Sequence, residues 1–551
     1  MHKPMPRSIV YLDYAATTPV DPAVVQAMHA SLSDPEGFAN ASSATHALGR
    51  AAAKRIEQAR REVAALLAAE PEEIVFTSGA TESNNLAVLG AARANADRGR
   101  HIVSARTEHK SVLDACRELE KEGFEVSYLS PDASGRIDPQ ALGAALRPDT
   151  VLVSLMHVNN ETGVVQDVEG FGELCRSRGI VFHTDGAQSA GRIALDVRRM
   201  PVDLLSLTAH KIYGPKGIGA LYVRRGSRGM LRAVSFGGGQ ERGLRPGTLA
   251  THQIVGFGMA AALAAERSPA EGVRIAALRD RLWRALEDVG GVHLNGAGAQ
   301  RVANILNVSF EGVEGESLVT SLRSLAVATG SACNSTSGEP SYVLRALGRS
   351  PRLAESSLRF SVGRFSTEAE IDCAAAEVRR ELARLRGAAP SSRGEALEPP
   401  VQGQAGGVPP ERATDEDSGY SHGLSPLAAR LFFELPGAGV LEQPGSGGDR
   451  SVRVLRGEAG GPHSDTWVRF QLLVAGDTVK DARFQALGCP HTLATAAWIT
   501  AQLRGRALSA GVPSGPQAWA RALGVPVEKL GRLLVVEDAL RAALQEPVGR
   551  T

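Results

Sequence analysis

Ser206-Leu207-Thr208-Ala209-His210-Lys211-Ile212-Tyr213-Gly214-Pro215-Lys216-Gly217 is the stretch on which the reading of this chain turns. It continues an apolar run that starts at Val202 and then breaks into Gly-Pro-Lys-Gly, so Lys211 is expected just past a buried strand, on a loop that cannot become helix. A lysine held beside hydroxyls and a histidine, partly out of water, loses its proton more easily and suits a Schiff base with an aldehyde cofactor. The plainer reading is a lysine bonding a nearby carbonyl in a glycine-rich turn, and this motif alone leaves the two level.

The segments before it repeat one plan. Ile9 to Pro19 reads as a short strand entering a loop, Asp21-Pro22 as the cap of a helix ending near Asp34, and residues 44–69 as a long amphipathic helix. Glu73 to Asn85 then gives a strand, a small-residue turn and a helix start, a natural phosphate cradle at Ala80 and Thr81 unless it is only a capped helix. His101 to Ser104, Val151 to Met156 and Ile180 to Thr184 are further buried strands, ending near His109, Asn160, Asp185 and Gln188. Strands alternating with helical segments imply an α/β fold with a mostly parallel sheet, whose ligands bind at the carboxyl ends of the strands.

Each residue has a chemical use and a plain alternative. Asp185 against a pyridine nitrogen would keep it protonated and make the ring an electron sink, or it caps the next helix. His109 could stack on an aromatic cofactor or relay protons, or it is a packed cap. The glycine-rich loop Gly237 to Thr248 carries donors for a phosphate, or lies on the surface. Asn304 to Phe310 opens a second, α+β segment, in which Cys333 stands among Ala, Ser and Asn as an exposed nucleophile. Arg359, expected on a strand, could hold a carboxylate bidentately. Cys116, Cys175 and Cys373, in helix-like surroundings, read as buried structural residues.

With 551 residues, 43% of them hydrophobic, the chain calls for two or three domains. Lys+Arg 61 against Asp+Glu 60 leaves a net charge of +1, which gives no ground for nucleic acid or an acidic membrane surface. Five scattered cysteines without a C-x-x-C pair suggest neither a disulfide framework nor a zinc finger, residues 1–7 lack a signal-peptide core, and no run is long enough to span a bilayer. A reducing cytoplasm is the expected setting.

Taken together, Ser-x-Thr-x-His-Lys-Ile-Tyr-Gly-Pro-Lys-Gly, the Gly-Ser-Ala-Cys ending at Cys333 and the Glu-Pro-Ser-Tyr-Val-Leu-Arg-Ala-Leu-Gly ending at Gly348 resemble the cysteine desulfurases of the NifS/IscS type, class V aminotransferases of fold-type I. The resemblance runs from about Ile9 to Arg386. It implies that Lys211 carries pyridoxal 5'-phosphate as a Schiff base, with Asp185 on the pyridine nitrogen, Gln188 on the phenolic oxygen and His109 stacked on the ring. Ala80, Thr81, Thr208, Ala209 and His210 would form the phosphate site, joined by Thr248 from the neighbouring subunit of a homodimer. Asn160 and Arg359 would orient the cofactor and the substrate carboxylate. The implied reaction turns L-cysteine into L-alanine and leaves a persulfide on Cys333, whose extended loop, Ser331 to Tyr342, would pass the sulfur to an acceptor or scaffold protein. A transaminase or selenocysteine lyase is disfavoured by the cysteine loop, and a decayed, non-catalytic interaction protein by the intact set of residues.

These signals divide the chain into a desulfurase over 1–386 (large domain about 15–262, small domain about 1–14 and 263–386), a flexible linker over 387–425 rich in Gly, Pro and Ser, and an α+β module over 426–551. The last has strands at Thr466 to Val474 and Val479 to Ala486, and through Asp481 to Cys489 and Val536 to Leu544 it resembles the U-type iron–sulfur scaffold family. Of that family's three cluster cysteines only Cys489 is present, the first position being His463, near Asp465, and the third falling at Gly531-Arg532. Thiolates hold iron–sulfur clusters, so an orthodox cluster does not suit this set. A degenerate docking or sulfur-accepting module is favoured over a metal site of His463, Asp465 and Cys489.

Overall fold

The structure, a computed structural model, describes residues 9–34, 37–329, 340–388, 424–441, 452–461, 466–526 and 529–545. Its contacts form two units, Met1–Glu311 with Ser324–Ala376, and Gly312–Arg323 with Glu377–Thr551.

In the first unit seven strands make the main sheet, in the order Ile74–Thr77, Gly219–Val223, Leu204–Thr208, Val181–Asp185, Thr150–Ser154, His101–Ala105, Glu125–Leu129. The last five are parallel, and Gly219–Val223 runs antiparallel to both its neighbours. Its direction follows from the connection: only a short turn joins Thr208 to Gly219, too little for the crossover a parallel strand needs. Successive side chains face opposite ways, so Val103, Val153, Phe182 and Leu205 enter one apolar core while Ile102, Leu152, Val181 and Leu204 enter another. With both faces covered, the parallel strands read as unbroken apolar runs.

Helices Ala80–Ala94, Lys110–Lys121, Pro139–Ala145 and Val168–Ser177 alternate with these strands. Asp21 accepts from the Ala23 N–H and places Pro22 at the first helical position, so the first helix, Pro22–Ser33, starts where its cap chemistry puts it. A second sheet is antiparallel, in the order Ala328–Thr329, Ser357–Ser361, Ile305–Phe310, Val292–Leu294. It puts Arg359 on a strand, opposite Asn307.

The second unit has three antiparallel strands, Val452–Gly460, Trp467–Ala475 and Thr478–Leu487, with helices Pro426–Glu434, Pro490–Leu503, Pro516–Leu523 and Leu530–Leu544. Trp519 is fully buried in its core and donates from Nε1 to the Pro513 carbonyl at 2.7 Å. Helix Gly315–Ser321 belongs to this unit: the Gly531 N–H donates to Ser317 Oγ at 3.0 Å, and Arg532 and Lys529 pair with Glu316. A side chain at Gly531 would bring its Cβ to 2.5 Å from Ser317 Cα, so that approach requires glycine. Of the expected linker, residues 389–423 lie outside the described residues. Among the described residues no helix is long and apolar enough to cross a membrane.

Candidate active site

The carboxyl ends of the parallel strands open on a cavity of about 570 Å³. Ala80, Thr81, His109, Asn160, Asp185, Gln188, Thr208, His210, Lys211 and Arg359, ten of the residues expected from sequence, all line it. Lys211 closes a short 3-10 turn, Ala209–Lys211, right after strand Leu204–Thr208. The turn is fixed from outside: Thr18 Oγ1 donates to the His210 carbonyl and accepts from the Tyr213 N–H, each at 2.9 Å, while Arg192 Nη2 donates to the Lys211 carbonyl at 3.0 Å. Ala209 is buried in the core beneath rather than lining the cavity.

One group of lining residues suits an anion. Helix Ala80–Ala94 begins there with Gly79 at its cap and no side chain closing it, so its first N–H groups and the positive end of its dipole are available. Gly219 lets this turn approach Thr208, since a Cβ on it would stand 2.6 Å from Gly79 Cα and 2.5 Å from the Leu207 carbonyl oxygen. Thr208 Oγ1 is buried and without a hydrogen-bond partner among the described residues. Burial pulls the His210 imidazole down to about 4, and the Lys211, Lys216 and Arg192 charges pull the same way, so it is neutral at pH 7. A phosphate would supply the acceptors that the helix N–H groups and Thr208 lack.

Other lining residues suit an aromatic ring. Asp185 accepts from Asn84 Nδ2 at 2.7 Å and from the Ala187 N–H at 2.9 Å, which fixes its carboxylate at the cavity wall. It therefore caps the following turn and lines the cavity at once. His109 likewise caps helix Lys110–Lys121 by accepting from the Ser111 N–H and also lines the cavity. Burial lowers its pKa against the pull of Asp185, which favours a neutral ring. Gln188 donates to the Ala15 carbonyl at 2.8 Å, and its Oε1 accepts from Arg192 at 2.9 Å. Arg359 holds Asp13 and the Asn160 carbonyl, both at 2.8 Å, leaving its Nε and Asn160 Oδ1 unpartnered among the described residues. The residue types and the orphaned Thr208 and Asn160 atoms fit pyridoxal phosphate.

Several supporting residues carried no signal in sequence. Asn84, Ser111, Arg192 and Asp13 act on residues from 27 to 346 positions away for most of these contacts, which only the folded chain reveals. Thr248 is exposed and does not line this cavity. Cys333, with the rest of 330–339, and His463 and Asp465 lie outside the described residues. Cys116 and Cys175 are buried as expected, but Cys373 is exposed, which corrects its reading as a core residue: it falls on the solvent side of helix Glu368–Ala388, whose inward positions are Ile371, Ala374 and Val378.

In the second unit Cys489 caps helix Pro490–Leu503, with its sulfur 3.5 Å from Thr492 Oγ1. Burial works against ionisation, yet hydrogen bonds from His491 and Thr492 and the Arg532 charge bring the thiol down to about 6. Among the described residues no group of three His, Cys, Asp or Glu side chains could hold a metal ion. One thiolate faced by a guanidinium does not supply the ligands of an iron–sulfur cluster.

The fold and this cavity define a class of enzyme in which a lysine at a strand end binds a phosphorylated aldehyde. The chain belongs to the Aminotransferase class-V family, whose profile matches residues 10–373. A second profile, the NifU-like N terminal domain, matches residues 436–551. The cysteine desulfurase IscS of Serratia proteamaculans is 55% identical over 381 residues, 69% of this chain and 94% of that protein. That of Pectobacterium atrosepticum is 56% identical over the same shares. Among solved structures, a NifS-like protein superimposes with a TM-score of 0.64 at 34% identity, over 68% of this chain and 100% of the other. SspA in complex with cysteine follows at 0.59 and 42%, over 65% and 99%.

Proposed function

We propose that this chain is a pyridoxal phosphate-dependent cysteine desulfurase carrying a NifU-like module that accepts sulfur or docks a partner in iron–sulfur assembly. The observation that carries the reading is the meeting of Lys211, Asp185, His109 and Gln188 around one cavity whose lining also includes an uncapped helix start and the unpartnered Thr208 hydroxyl. When bound, the cofactor supplies an electron sink for a carbanion at the substrate α-carbon. The protein does the rest. Lys211 holds the aldehyde, Asp185 keeps the pyridine nitrogen protonated, Gln188 binds the phenolic oxygen, and neutral His109 stacks on the ring and can move a proton. Arg359 and Asn160 receive the substrate carboxylate.

The balanced reaction is L-cysteine plus the Cys333 thiol giving L-alanine plus a Cys333 persulfide. The carbon–sulfur bond breaks, the β-carbon gains a proton, and the transferred sulfur ends bonded to Cys333. From there it passes by thiol exchange to an acceptor, for which Cys489, an ionisable thiol beside Arg532, is suited. We further infer a homodimer, with Thr248 of one subunit completing the phosphate site of the other, and a cytoplasmic setting, consistent with the unpaired cysteines among the described residues.

Loaded protein given L-cysteine should release alanine, and sulfide when a reductant is added. Lys211→Ala should abolish both and Cys333→Ala should abolish the persulfide; alanine formation that survives both changes would refute the assignment. Cys489→Ala should lose part of the protein-bound sulfur, and full retention would rule out the acceptor role.

A further inference from the structure

Glu161 is a buried carboxyl group that the chemistry above does not use. It follows Asn160 in a turn closed by Asn159, whose Oδ1 accepts from the Glu161 and Thr162 N–H groups, each at 2.9 Å, and from Thr162 Oγ1 at 3.1 Å. From the other side Asn307 Nδ2 donates to the Glu161 carbonyl at 3.1 Å. The backbone is thereby fixed, and with it the direction of the side chain. Glu161 Oε2 accepts from the Ser341 hydroxyl at 2.5 Å, and Glu161 and Ser341 are 4% and 1% exposed.

Ser341 is not an arbitrary partner. It caps helix Tyr342–Ala346, its Oγ accepting from the Leu344 N–H at 3.1 Å, and it is the second described residue after 330–339, the segment that contains Cys333. The turn bearing Glu161 is also the turn whose Asn160 carbonyl accepts from Arg359 Nη1 at 2.8 Å. One short stretch therefore holds both the carboxylate-binding arginine and the point where the cysteine segment rejoins the fold.

An ionised carboxyl is costly to bury, and a hydroxyl partner recovers only part of that cost, so structure alone is a weak reason for it here. Burial pushes Glu161 up to about 7, opposed by the Ser341 bond and the Arg359 charge. Arg359, on strand Ser357–Ser361, is the charged group facing it and is itself paired with Asp13; Ser341 and Asn307, on the other elements packed against it, are neutral.

We propose that Glu161 is a positioning residue for sulfur extraction: by gripping Ser341 it fixes where the chain returns after residue 339, from the same turn that presents Asn160 and anchors Arg359. The proposal rests on the desulfurase reading. It separates two classes of step. Those that need the cofactor and Lys211 alone should proceed without the Glu161 carboxylate; the step that needs the Cys333 thiol should not.

The test compares two reactions of the full-length, pyridoxal phosphate-loaded protein. β-Chloro-L-alanine plus water gives pyruvate, ammonia and chloride by elimination, with no thiol required; L-cysteine gives alanine only through Cys333. In Glu161→Ala and in Ser341→Ala the ratio of desulfuration to elimination should fall about tenfold, the effect of one charge-assisted hydrogen bond. Glu161→Gln keeps an acceptor in place and should recover part of that ratio. An unchanged ratio, or elimination falling in step with desulfuration, would overturn the proposal; if Glu161→Ala does not fold, the Ser341→Ala ratio decides. A parent protein that makes no alanine from cysteine would instead sink the desulfurase reading.

Discussion

An ordinary thiol is mostly protonated at pH 7, whereas Cys489 titrates near 6 because His491, Thr492 and Arg532 outweigh its burial. Its folded value is depressed, so the thiolate is present above about pH 6 and disappears as pH falls through it. Alkylation of the Cys489 peptide by iodoacetamide, followed by mass spectrometry, should therefore be half-maximal near pH 6, and Arg532→Gln should move that midpoint up by about one pH unit. A midpoint that the substitution leaves in place would remove Arg532 from the account. The placement of the candidate residues was legible in sequence wherever chemistry and position coincided: Lys211, Asp185, Gln188 and His109 follow strands whose ends face one cavity. Contacts that exist only across the fold were illegible. Nothing around Asn84 announces a hydrogen bond to Asp185, 101 residues away, and nothing around Arg192 announces that it orients Gln188 and the Lys211 backbone together.

Elements in this fold are pinned by a few buried polar contacts. Arg60, on helix Ala47–Leu66, meets Glu241 through two hydrogen bonds of 2.8 and 2.7 Å and also donates to the Ile74 carbonyl, while the Phe76 N–H donates to the same Glu241. Glu241 and Arg242 both adopt positive φ, 46° and 58°, a conformation costly for residues with side chains. The ion pair therefore fixes the glycine-rich loop from 237 to 248 against the edge strand Ile74–Thr77. Arg60→Met leaves a buried carboxylate without its cation and should cost about 3–5 kcal/mol in urea unfolding, whereas Arg60→Met with Glu241→Leu should recover much of it. Equal losses in the single and double variants would show that packing, not charge, holds the loop. The sequence placed this loop between two readings, and the structure explains why: its anchor, Arg60, lies 181 residues earlier. The antiparallel strand Gly219–Val223 escaped notice for a related reason, since its direction depends on connection length rather than composition.

For the whole molecule, the exposed Thr248 frames a question of symmetry. If each active site borrows Thr248 from a second copy, Thr248→Ala should weaken pyridoxal phosphate binding about fivefold, the loss of one hydrogen bond. Mixed dimers of Lys211→Ala and Thr248→Ala chains should then contain one wholly intact site and regain desulfurase activity at limiting cofactor. Were Thr248 to serve its own chain, neither site in the mixture would be intact and activity would stay low. Composition suggests a two-module organisation, because a sequence of Gly, Pro and Ser between apolar, patterned regions lacks the apolar residues of a core. What composition could not convey is that residues 312–323 share a unit with 377–551.

That sharing bears on how such a chain could be taken apart or recombined. Helix Gly315–Ser321 is encoded amid the class V stretch, yet Ser317 and Glu316 meet Gly531, Arg532 and Lys529. A graft that swaps the NifU-like portion at the proline-rich junction would move one half of a fitted pair and strand the other, leaving a glycine notch and two cations without their counterpart. Inheritance of this architecture is thus discontinuous along the gene: a working transplant must carry two separate segments.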